Sequence, residues 1–184
     1  NVVLIGFRGC GKPTVGRALA EHLDWDFLDT DALIEQRTGL TICEIFTDHA
    51  EEDFRDLESE LIAEVAGLDR HVISTGGGTL LRPQNVETLR RCGKLVYLTA
   101  PPEVLWERIF KDVHRHATRL KIVPDTGLQQ VRQTLSVREP LYTQAADCIV
   151  DTTGRSVASI VERVITQAGL RHALTQDIGY GEVR

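Results

Sequence analysis

Three glycines and a lysine near the N-terminus are spaced so that they could hold a chain of phosphates. The stretch Gly6–Pro13 reads GFRGCGKP, follows the β-branched run Val2–Ile5 and precedes a helical pattern that begins at Val15. In the strand–loop–helix motif G-x-x-x-x-G-K-[ST], backbone N–H groups wrap the phosphates and the lysine, here Lys12, reaches the β- and γ-phosphates. The following helix adds the positive end of its dipole. The pattern predicts nucleotide binding, and its alternative is a glycine-rich turn without a ligand.

The loop departs from the motif at Pro13. A Ser or Thr normally stands there, and its hydroxyl coordinates Mg²⁺. Proline has neither that hydroxyl nor a backbone N–H, although the first turn of a helix accepts it. Thr14 lies about 100° further around a helix and is poorly placed as a substitute, whereas water could fill the position because Mg²⁺ keeps several waters. Nucleotide and metal handling should therefore be weakened while the fold survives.

A pair of carboxylates follows the second predicted strand. Asp29 ends the run Trp25–Asp29, and Asp31 comes two residues later. Ligands of open parallel sheets gather beyond the carboxyl ends of the strands, and residues two apart in an extended segment share one side. One carboxylate could hold the water shell of a metal while the other meets a substrate hydroxyl. The alternative is a helix N-cap at Thr30 or Asp31.

Glycines and arginines complete the set of candidate residues. The run Gly76–Gly78 follows the third predicted strand, where it would expose N–H groups and allow close approach by a ligand. Arg55, with Glu58 three residues later, Arg119 and Arg138 could each be solvated surface groups. Together with the acidic pair they indicate a small polyhydroxylated carboxylate, because guanidinium groups bind carboxylates through two parallel hydrogen bonds.

Apolar runs that alternate with helical patterns predict one parallel sheet with helices on both faces. The predicted strands are Val2–Ile5, Trp25–Asp29, His71–Ser74, Lys94–Leu98 and Cys148–Val150. The predicted helices include Arg17–Leu23, Asp31–Arg37, Ile42–Phe46, Glu51–Ala66, Pro101–Phe110 and Val157–Ala168. In Glu51–Ala66 the spacing of Phe54, Leu57, Leu61 and Val65 predicts one apolar face. The basic segment Lys111–Thr126 is weakly periodic, which predicts a mobile loop.

Size and charge limit the class of protein. The 184 residues suit one α/β domain, and the net charge of −6 argues against a general nucleic-acid or anionic-membrane surface. We expect a monomeric protein without nucleic-acid or membrane partners. The four cysteines are scattered, which predicts reduced thiols and a cytoplasmic location. Cys10 could be a reactive thiol at a helix N-terminus or a small residue that lets the loop close.

The chain resembles the shikimate kinase family through nearly all of its length. The phosphate loop is shared by a vast superfamily, whereas the Asp-Thr-Asp, Phe-Arg-x-x-Glu and triple-glycine motifs in this order are specific. The matching pieces are Gly6–Lys12, Leu28–Asp31, Ile34-Glu35, Gly39, Glu44–Phe46, Phe54-Arg55 with Glu58, Thr75–Gly78 and Arg138–Tyr142.

The resemblance implies a fold, a domain organisation and an activity. The fold is a three-layer α/β/α arrangement with a five-stranded parallel sheet, of the P-loop nucleoside monophosphate kinase type. A single domain over residues 1–184 would carry a lid at about 111–126 and a shikimate-binding region at about 31–62. The implied reaction transfers the γ-phosphoryl group of ATP to the 3-hydroxyl of shikimate, a step of aromatic amino-acid biosynthesis, with ATP and Mg²⁺ required.

The resemblance also implies roles for individual residues. Catalysis would use Lys12, Asp31 and Arg119. Asp29 would reach Mg²⁺ through water. The family commonly has Arg-Pro in the lid where this chain has Arg119-Leu120, and Arg115 is the alternative. The nucleotide would contact Gly9, Cys10, Gly11, Lys12, Pro13, Thr14, Arg108 and Arg119. Shikimate would contact Asp31, Arg55, Gly76, Gly77, Gly78 and Arg138.

Two other functions stay open from the sequence. Pro13 is compatible with a nucleotide- or shikimate-binding protein that no longer turns over and has a regulatory role. A related small-molecule kinase, such as a gluconate kinase, would share the phosphate loop, but the arginine and triple-glycine set argues against it.

Overall fold

Strand β1 (Val2–Ile5) occupies the centre of a five-stranded parallel sheet in the computed structural model, with the order β2-β3-β1-β4-β5. All four of its residues are buried, as expected of a central strand between helical layers. The other strands are β2 (Asp26–Asp29), β3 (His71–Ser74), β4 (Lys94–Thr99) and β5 (Cys148–Asp151). The predicted sheet is confirmed, with β2 starting one residue later and β4 and β5 ending one residue later than predicted.

The strand register aligns the ends that carry the candidate site. Leu4 of β1 pairs with Ser74 of β3, and Ser74 pairs in turn with Asp29 of β2. Because the strands are parallel, the segments that follow all three leave from the same edge of the sheet. The phosphate loop, the acidic pair and the glycine run therefore start side by side.

The structure describes residues 1–48, 51–115 and 124–170. Helix α1 (Lys12–Leu23) follows the phosphate loop, α2 (Thr30–Thr38) follows β2, and α3 (Ile42–Asp48) and α4 (Glu51–Val65) complete the first half of the chain. Helix α1 packs against α8 (Val157–Gln167) on one layer of the domain. None of the helices in the described ranges has the length and apolar character needed to cross a bilayer.

The second half of the chain corrects the predicted loop. Helix α6 (Pro102–Arg115) continues past Phe110, and α7 (Pro124–Ala145) begins before the predicted loop ends. The prediction of a loop over 111–126 is therefore wrong at both ends, where weak apolar periodicity did not prevent a helix, and its central part, 116–123, lies outside the described residues. A 3₁₀ turn (Thr79–Leu81) and helix α5 (Pro83–Cys92), which the sequence patterns did not delimit, lie between β3 and β4.

Helix α4 buries a different set of side chains from the one predicted. Phe54, Leu61 and Val65 are buried as expected, but Leu57 is 36% exposed. The buried face instead includes Arg55 and Glu58. Burial of two charged side chains on the inner face of a helix costs folding free energy unless they are paired. We therefore expect Arg55 and Glu58 to have charged or hydrogen-bonding partners.

Candidate active site

The phosphate loop has the backbone conformation that its glycines predict. Gly6, Gly9 and Gly11 have φ angles of 138°, 83° and 94°, in the region that favours glycine. A Cβ at Gly9 would lie 2.9 Å from the carbonyl oxygen of Leu105. Gly11 caps α1, and Pro13 lies exposed in the first turn of that helix. The helix thus presents its N-terminal N–H groups to the loop, with one of them missing at Pro13.

The side chain of Lys12 folds back over the loop. Its Nζ donates hydrogen bonds to the carbonyl oxygens of Gly6 at 2.7 Å and Phe7 at 3.0 Å, and the residue is 6% exposed. The Sγ of Cys10 lies 3.7 Å from the same ammonium group. Cys10 is only 1% exposed, which favours the packing interpretation of this cysteine over that of a reactive thiol.

Asp29 caps helix α2 rather than sharing a strand face with Asp31. Its Oδ1 accepts a hydrogen bond from the N–H of Ala32 at 3.1 Å, and its Oδ2 accepts one from the hydroxyl of Ser74 at 2.9 Å. The prediction that both aspartates lie on one side of an extended segment is wrong, because the helix begins at Thr30 and places Asp31 in its first turn. The predicted alternative, a cap at Thr30 or Asp31, is wrong by one residue.

Asp31 nevertheless faces the same site as Asp29. Burial of the carboxylate, and after it the nearby charge of Asp29, raise the pKa of Asp31 to about 6, although the positive charge of Lys12 opposes the rise. A Cβ at Gly76 would lie 2.6 Å from Oδ1 of Asp31, so the glycine is needed for this close approach. A carboxylate with a pKa this near neutrality is suited to accept a proton.

Arg55 is held on the buried face of α4 by carboxylates. Its Nη1 donates to Glu58 at 2.8 Å and its Nη2 to Glu51 at 3.1 Å. Glu58 is 1% exposed and also accepts a hydrogen bond from the hydroxyl of Thr79. The guanidinium lies beside the rings of Phe46 and Phe54, with its Cζ 5.8 Å and 5.2 Å from their centroids. The inner charges of α4 thus form one paired network.

Arg138 reaches the same glycine run from α7. Its Nη1 donates to the carbonyl oxygen of Gly77 at 3.1 Å, and the hydroxyl of Tyr142 donates to that same oxygen. A Cβ at Gly77 would lie 3.5 Å from the backbone nitrogen of Arg8 in the phosphate loop. Gly77 therefore lies between Arg138 of α7 and the phosphate loop.

A cavity of about 200 Å³ separates the phosphate loop from α6 and α7. Arg8 of the loop and Arg138 both line it, so positive charge faces it from two elements. Its lining residues are Phe7, Arg8, Trp106, Ile109, Gly127, Gln130, Val131, Thr134 and Arg138.

Arg108 of α6 contacts the phosphate loop at Gly9. Its Nη1 donates to the hydroxyl of Thr152 at 2.9 Å and to the carbonyl oxygen of Gly9 at 3.3 Å. Of the two lid candidates, Arg119 lies outside the described residues, and Arg115 is the last residue of α6.

Several residues of the site were not singled out from the sequence. Thr30 accepts a hydrogen bond from the N–H of Gly76 at 3.0 Å, Ser74 holds Asp29, and Tyr142 shares the oxygen of Gly77 with Arg138. Thr, Ser and Tyr are common residues, and these three form no recognisable motif in the sequence. The register of the strands would have been needed to identify them as site residues.

Comparison with known proteins agrees with this arrangement. A family model described as shikimate kinase matches residues 8–168. A shikimate kinase from Symbiobacterium thermophilum is 42% identical over 165 residues, which are 90% of this chain and 94% of that protein. The solved structure of shikimate kinase from Acinetobacter baumannii in complex with shikimate has a TM-score of 0.82 and 33% identity, covering 97% of this chain and 95% of that one.

A gluconokinase from Sinorhizobium meliloti has the same fold at a lower level of similarity, with a TM-score of 0.57 and 22% identity over 95% of this chain and 94% of its own. Identity this low supports the fold alone. The matched family model and the relative at 42% identity go further: the chain belongs to the shikimate kinase family.

Proposed function

We propose that this protein transfers the γ-phosphoryl group of ATP to the 3-hydroxyl of shikimate, giving shikimate 3-phosphate and ADP. One observation carries the proposal: the glycine run lies against a candidate base, two arginines and the phosphate loop. Gly76 contacts the carboxylate of Asp31, Gly77 lies against Arg138 and the phosphate loop, and Gly78 lies against Arg55. An acceptor with hydroxyls and a carboxylate could therefore be held beside the phosphates.

Arg55 and Arg138 bind the carboxylate of shikimate in this proposal. They approach the glycine run from different helices, α4 and α7, so together they would fix the orientation of a planar anion. The backbone groups of Gly76–Gly78 contact the ring substituents. Orientation of this kind supplies much of the rate acceleration in phosphoryl transfer, where the protein has little covalent chemistry to perform.

Asp31 accepts the proton of the attacking hydroxyl. Its pKa of about 6 keeps it ionised at neutral pH while making it a better base than an ordinary aspartate. The influence of Lys12 on that pKa indicates that base and phosphate loop are within electrostatic reach of each other. The proton of the 3-hydroxyl thus passes to Asp31 as the oxygen attacks the γ-phosphorus.

Lys12 stabilises the charge on the transferring phosphoryl group, together with a lid arginine, Arg119 or Arg115. Lys12 would exchange the carbonyl oxygens of Gly6 and Phe7 for phosphate oxygens when ATP binds. We propose that Arg108 lies near the adenine of ATP. We propose that the lid falls within 111–126 and closes over both substrates to exclude water, which would otherwise hydrolyse ATP.

The donor set fits Mg²⁺ only through water. Pro13 offers no ligand, and both oxygens of Asp29 already accept hydrogen bonds, from Ala32 and Ser74. Each of those oxygens keeps a lone pair for a metal-bound water. Among the described residues no group of three or more His, Cys, Asp or Glu side chains could form a separate metal site. When bound, Mg²⁺ neutralises charge on the phosphates, and Asp29 orients its water shell.

We further propose the organisation and setting of the protein. Residues 1–184 form one domain, with the acceptor bound by the region at about 31–62 together with the glycine run and Arg138. We also propose that the protein is a monomer. The proposed location is the cytoplasm, with small molecules rather than nucleic acid or membrane as partners.

ADP release tests the proposal directly. The protein is incubated with ATP and Mg²⁺, with shikimate or gluconate as acceptor, and ADP is measured by a coupled assay. We expect ADP that depends on shikimate and not on gluconate. Binding of shikimate without ADP release would favour the regulatory binding protein that Pro13 allows. No shikimate-dependent ADP from this protein or from its Pro13→Ser variant would overturn the kinase assignment.

A further inference from the structure

The two carboxylates that pair with Arg55 differ sharply in burial. Glu58, 2.8 Å from Nη1, has a side chain that is 1% exposed. Glu51, 3.1 Å from Nη2, has a side chain that is 63% exposed and lies four residues earlier on the same helix. Removing Glu58 would leave a buried charge without its partner, whereas Glu51 can return to water with little loss. Only Glu51 is therefore a partner that Arg55 can exchange.

The guanidinium of Arg55 is also incompletely used. Its Nε is buried and has no hydrogen-bond partner among the described residues. Nε and Nη2 form one edge of a guanidinium, and that edge matches the two oxygens of a carboxylate. Glu51 contacts the edge through Nη2 alone. On this edge Nη2 is thus paired with the exposed side chain of Glu51, whereas Nε has no partner among the described residues.

We infer that Glu51 holds the place of the substrate carboxylate on Arg55 and leaves when that carboxylate binds Nη2 and Nε together. The inference rests on the proposed function, because it takes shikimate as the incoming anion. One carboxylate replaces another, so the charge of Arg55 stays neutralised throughout. Glu51 is a specificity-determining residue in this scheme: a ligand that cannot make both hydrogen bonds gains too little to displace it.

The surroundings of Arg55 indicate how the exchange could proceed. Of the two rings beside the guanidinium, Phe54 is buried in α4, whereas Phe46 of α3 is 41% exposed. Phe46 is therefore the ring that can move away from the guanidinium without disturbing the core. Glu58 keeps Nη1 in place during the movement, and the hydroxyl of Thr79 donates a hydrogen bond that holds Glu58.

Calorimetric titration of shikimate into the protein without ATP tests the inference. Glu51→Gln removes the competing charge, and Glu60→Gln, an exposed position on the same helix, is the matched control. We expect the Kd of Glu51→Gln to fall about two- to fivefold, the range expected for loss of an exposed ion pair, and that of Glu60→Gln to stay unchanged. An unchanged or higher Kd in Glu51→Gln would overturn the inference. If Glu51 only held Arg55 in position, removing its charge would weaken shikimate binding or leave it unaffected.

A crystal structure of the unaltered protein with shikimate gives a second readout that does not depend on a variant folding. We expect Glu51 to have moved out of ion-pair distance of Arg55. A Glu51–Arg55 pair that persists beside the bound carboxylate would overturn the inference while leaving the proposed function intact. A protein that binds no shikimate at any accessible concentration would instead overturn the proposed function, and this inference with it.

Discussion

Gly78 lies directly against the guanidinium of Arg55. A Cβ added at residue 78 would be 2.5 Å from Nη2 and 2.6 Å from Cζ, closer than real Cβ contacts come. Gly78 has an ordinary φ of −108°, so the backbone itself does not require glycine. The absence of a side chain at this position is therefore a packing requirement of the arginine, which joins the triple-glycine motif to the Phe-Arg-x-x-Glu motif.

Gly78→Ala should displace Arg55 and weaken acceptor binding. We expect the KM for shikimate to rise about tenfold to a hundredfold, because a shift of about 1 Å in a positioning group can cost that much. ATP binding should be unaffected, since the phosphate loop is not touched. Gly67→Ala is the matched control: it is exposed, and its added Cβ would meet nothing closer than 3.7 Å. An unchanged KM in Gly78→Ala would remove Arg55 from the carboxylate site.

Arg138→Ala should affect shikimate and spare ATP. Loss of a charge-assisted hydrogen bond to a carboxylate costs about 1.5 to 3 kcal/mol, so the KM for shikimate should rise by at least about tenfold. Arg132→Ala, which removes an exposed arginine of α7 that pairs with Glu103, is the control and should have no effect. Steady-state kinetics with each substrate varied in turn separates the two effects. Equal changes in both KM values would indicate a general disturbance of α7.

Pro13→Ser should restore the missing metal ligand and the missing N–H group. Two lost contacts to charged groups predict that kcat/KM for ATP rises about tenfold or more in the variant. Mn²⁺ in place of Mg²⁺ gives a readout independent of turnover: line broadening by ¹⁷O-water in its electron paramagnetic resonance spectrum reports the bound waters. With a non-hydrolysable ATP analogue, we expect one water fewer on Mn²⁺ in Pro13→Ser than in the unaltered protein. Glu21→Gln, at an exposed position further along α1, should change neither the spectrum nor the rate.

The five strands and the phosphate loop could be predicted from the sequence, because they follow from patterns that span few residues, such as the buried run at β1 and the glycine spacing. The order of the strands in the sheet and the bounds of the connecting helices could not. The role of Asp29 could not be predicted in this way, because it depends on the residue at which α2 begins. A shift of one residue changes which of the two carboxylates caps the helix and which is left free. The burial of Glu58 could not be predicted either, since an Arg and a Glu three residues apart are usually found on the exposed face of a helix. Contacts such as Thr79 to Glu58 join residues 21 positions apart and exist only once the chain has folded.

The pH dependence of turnover should follow Asp31. As a base it must be ionised, so kcat/KM for shikimate is expected to fall as the pH drops through about 6, the pKa that burial gives it. An ordinary aspartate would instead keep the enzyme active to about pH 4. A pH–rate profile between pH 5 and 8, with ATP saturating, checks this. A profile that stays flat down to pH 5 would contradict the role of Asp31 as the base.

Asp31→Asn should stabilise the protein while abolishing turnover. The folded state raises the pKa of Asp31 from 3.8 to about 6, so the folded protein binds the proton more tightly than the unfolded chain does. Ionised Asp31 therefore destabilises the fold: the cost is fully present above pH 6, shrinks as the pH falls toward 4 and is absent below 3.8. At pH 8 we expect Asp31→Asn to gain up to about 3 kcal/mol in the free energy of unfolding, which is what the difference between 3.8 and about 6 corresponds to and is a trade between stability and activity.

Urea unfolding of both proteins at pH 8, 6 and 4 measures that difference, with Asp24→Asn as the control for removing an exposed aspartate. The gain should be largest at pH 8 and small at pH 4, because Asp31 becomes protonated in both states only as the pH falls below 3.8. An Asp31→Asn variant that is less stable than the unaltered protein at pH 8 would mean that the ionised carboxylate is fully compensated by its neighbours. In that case the raised pKa, and the proton acceptance that depends on it, would both have to be abandoned.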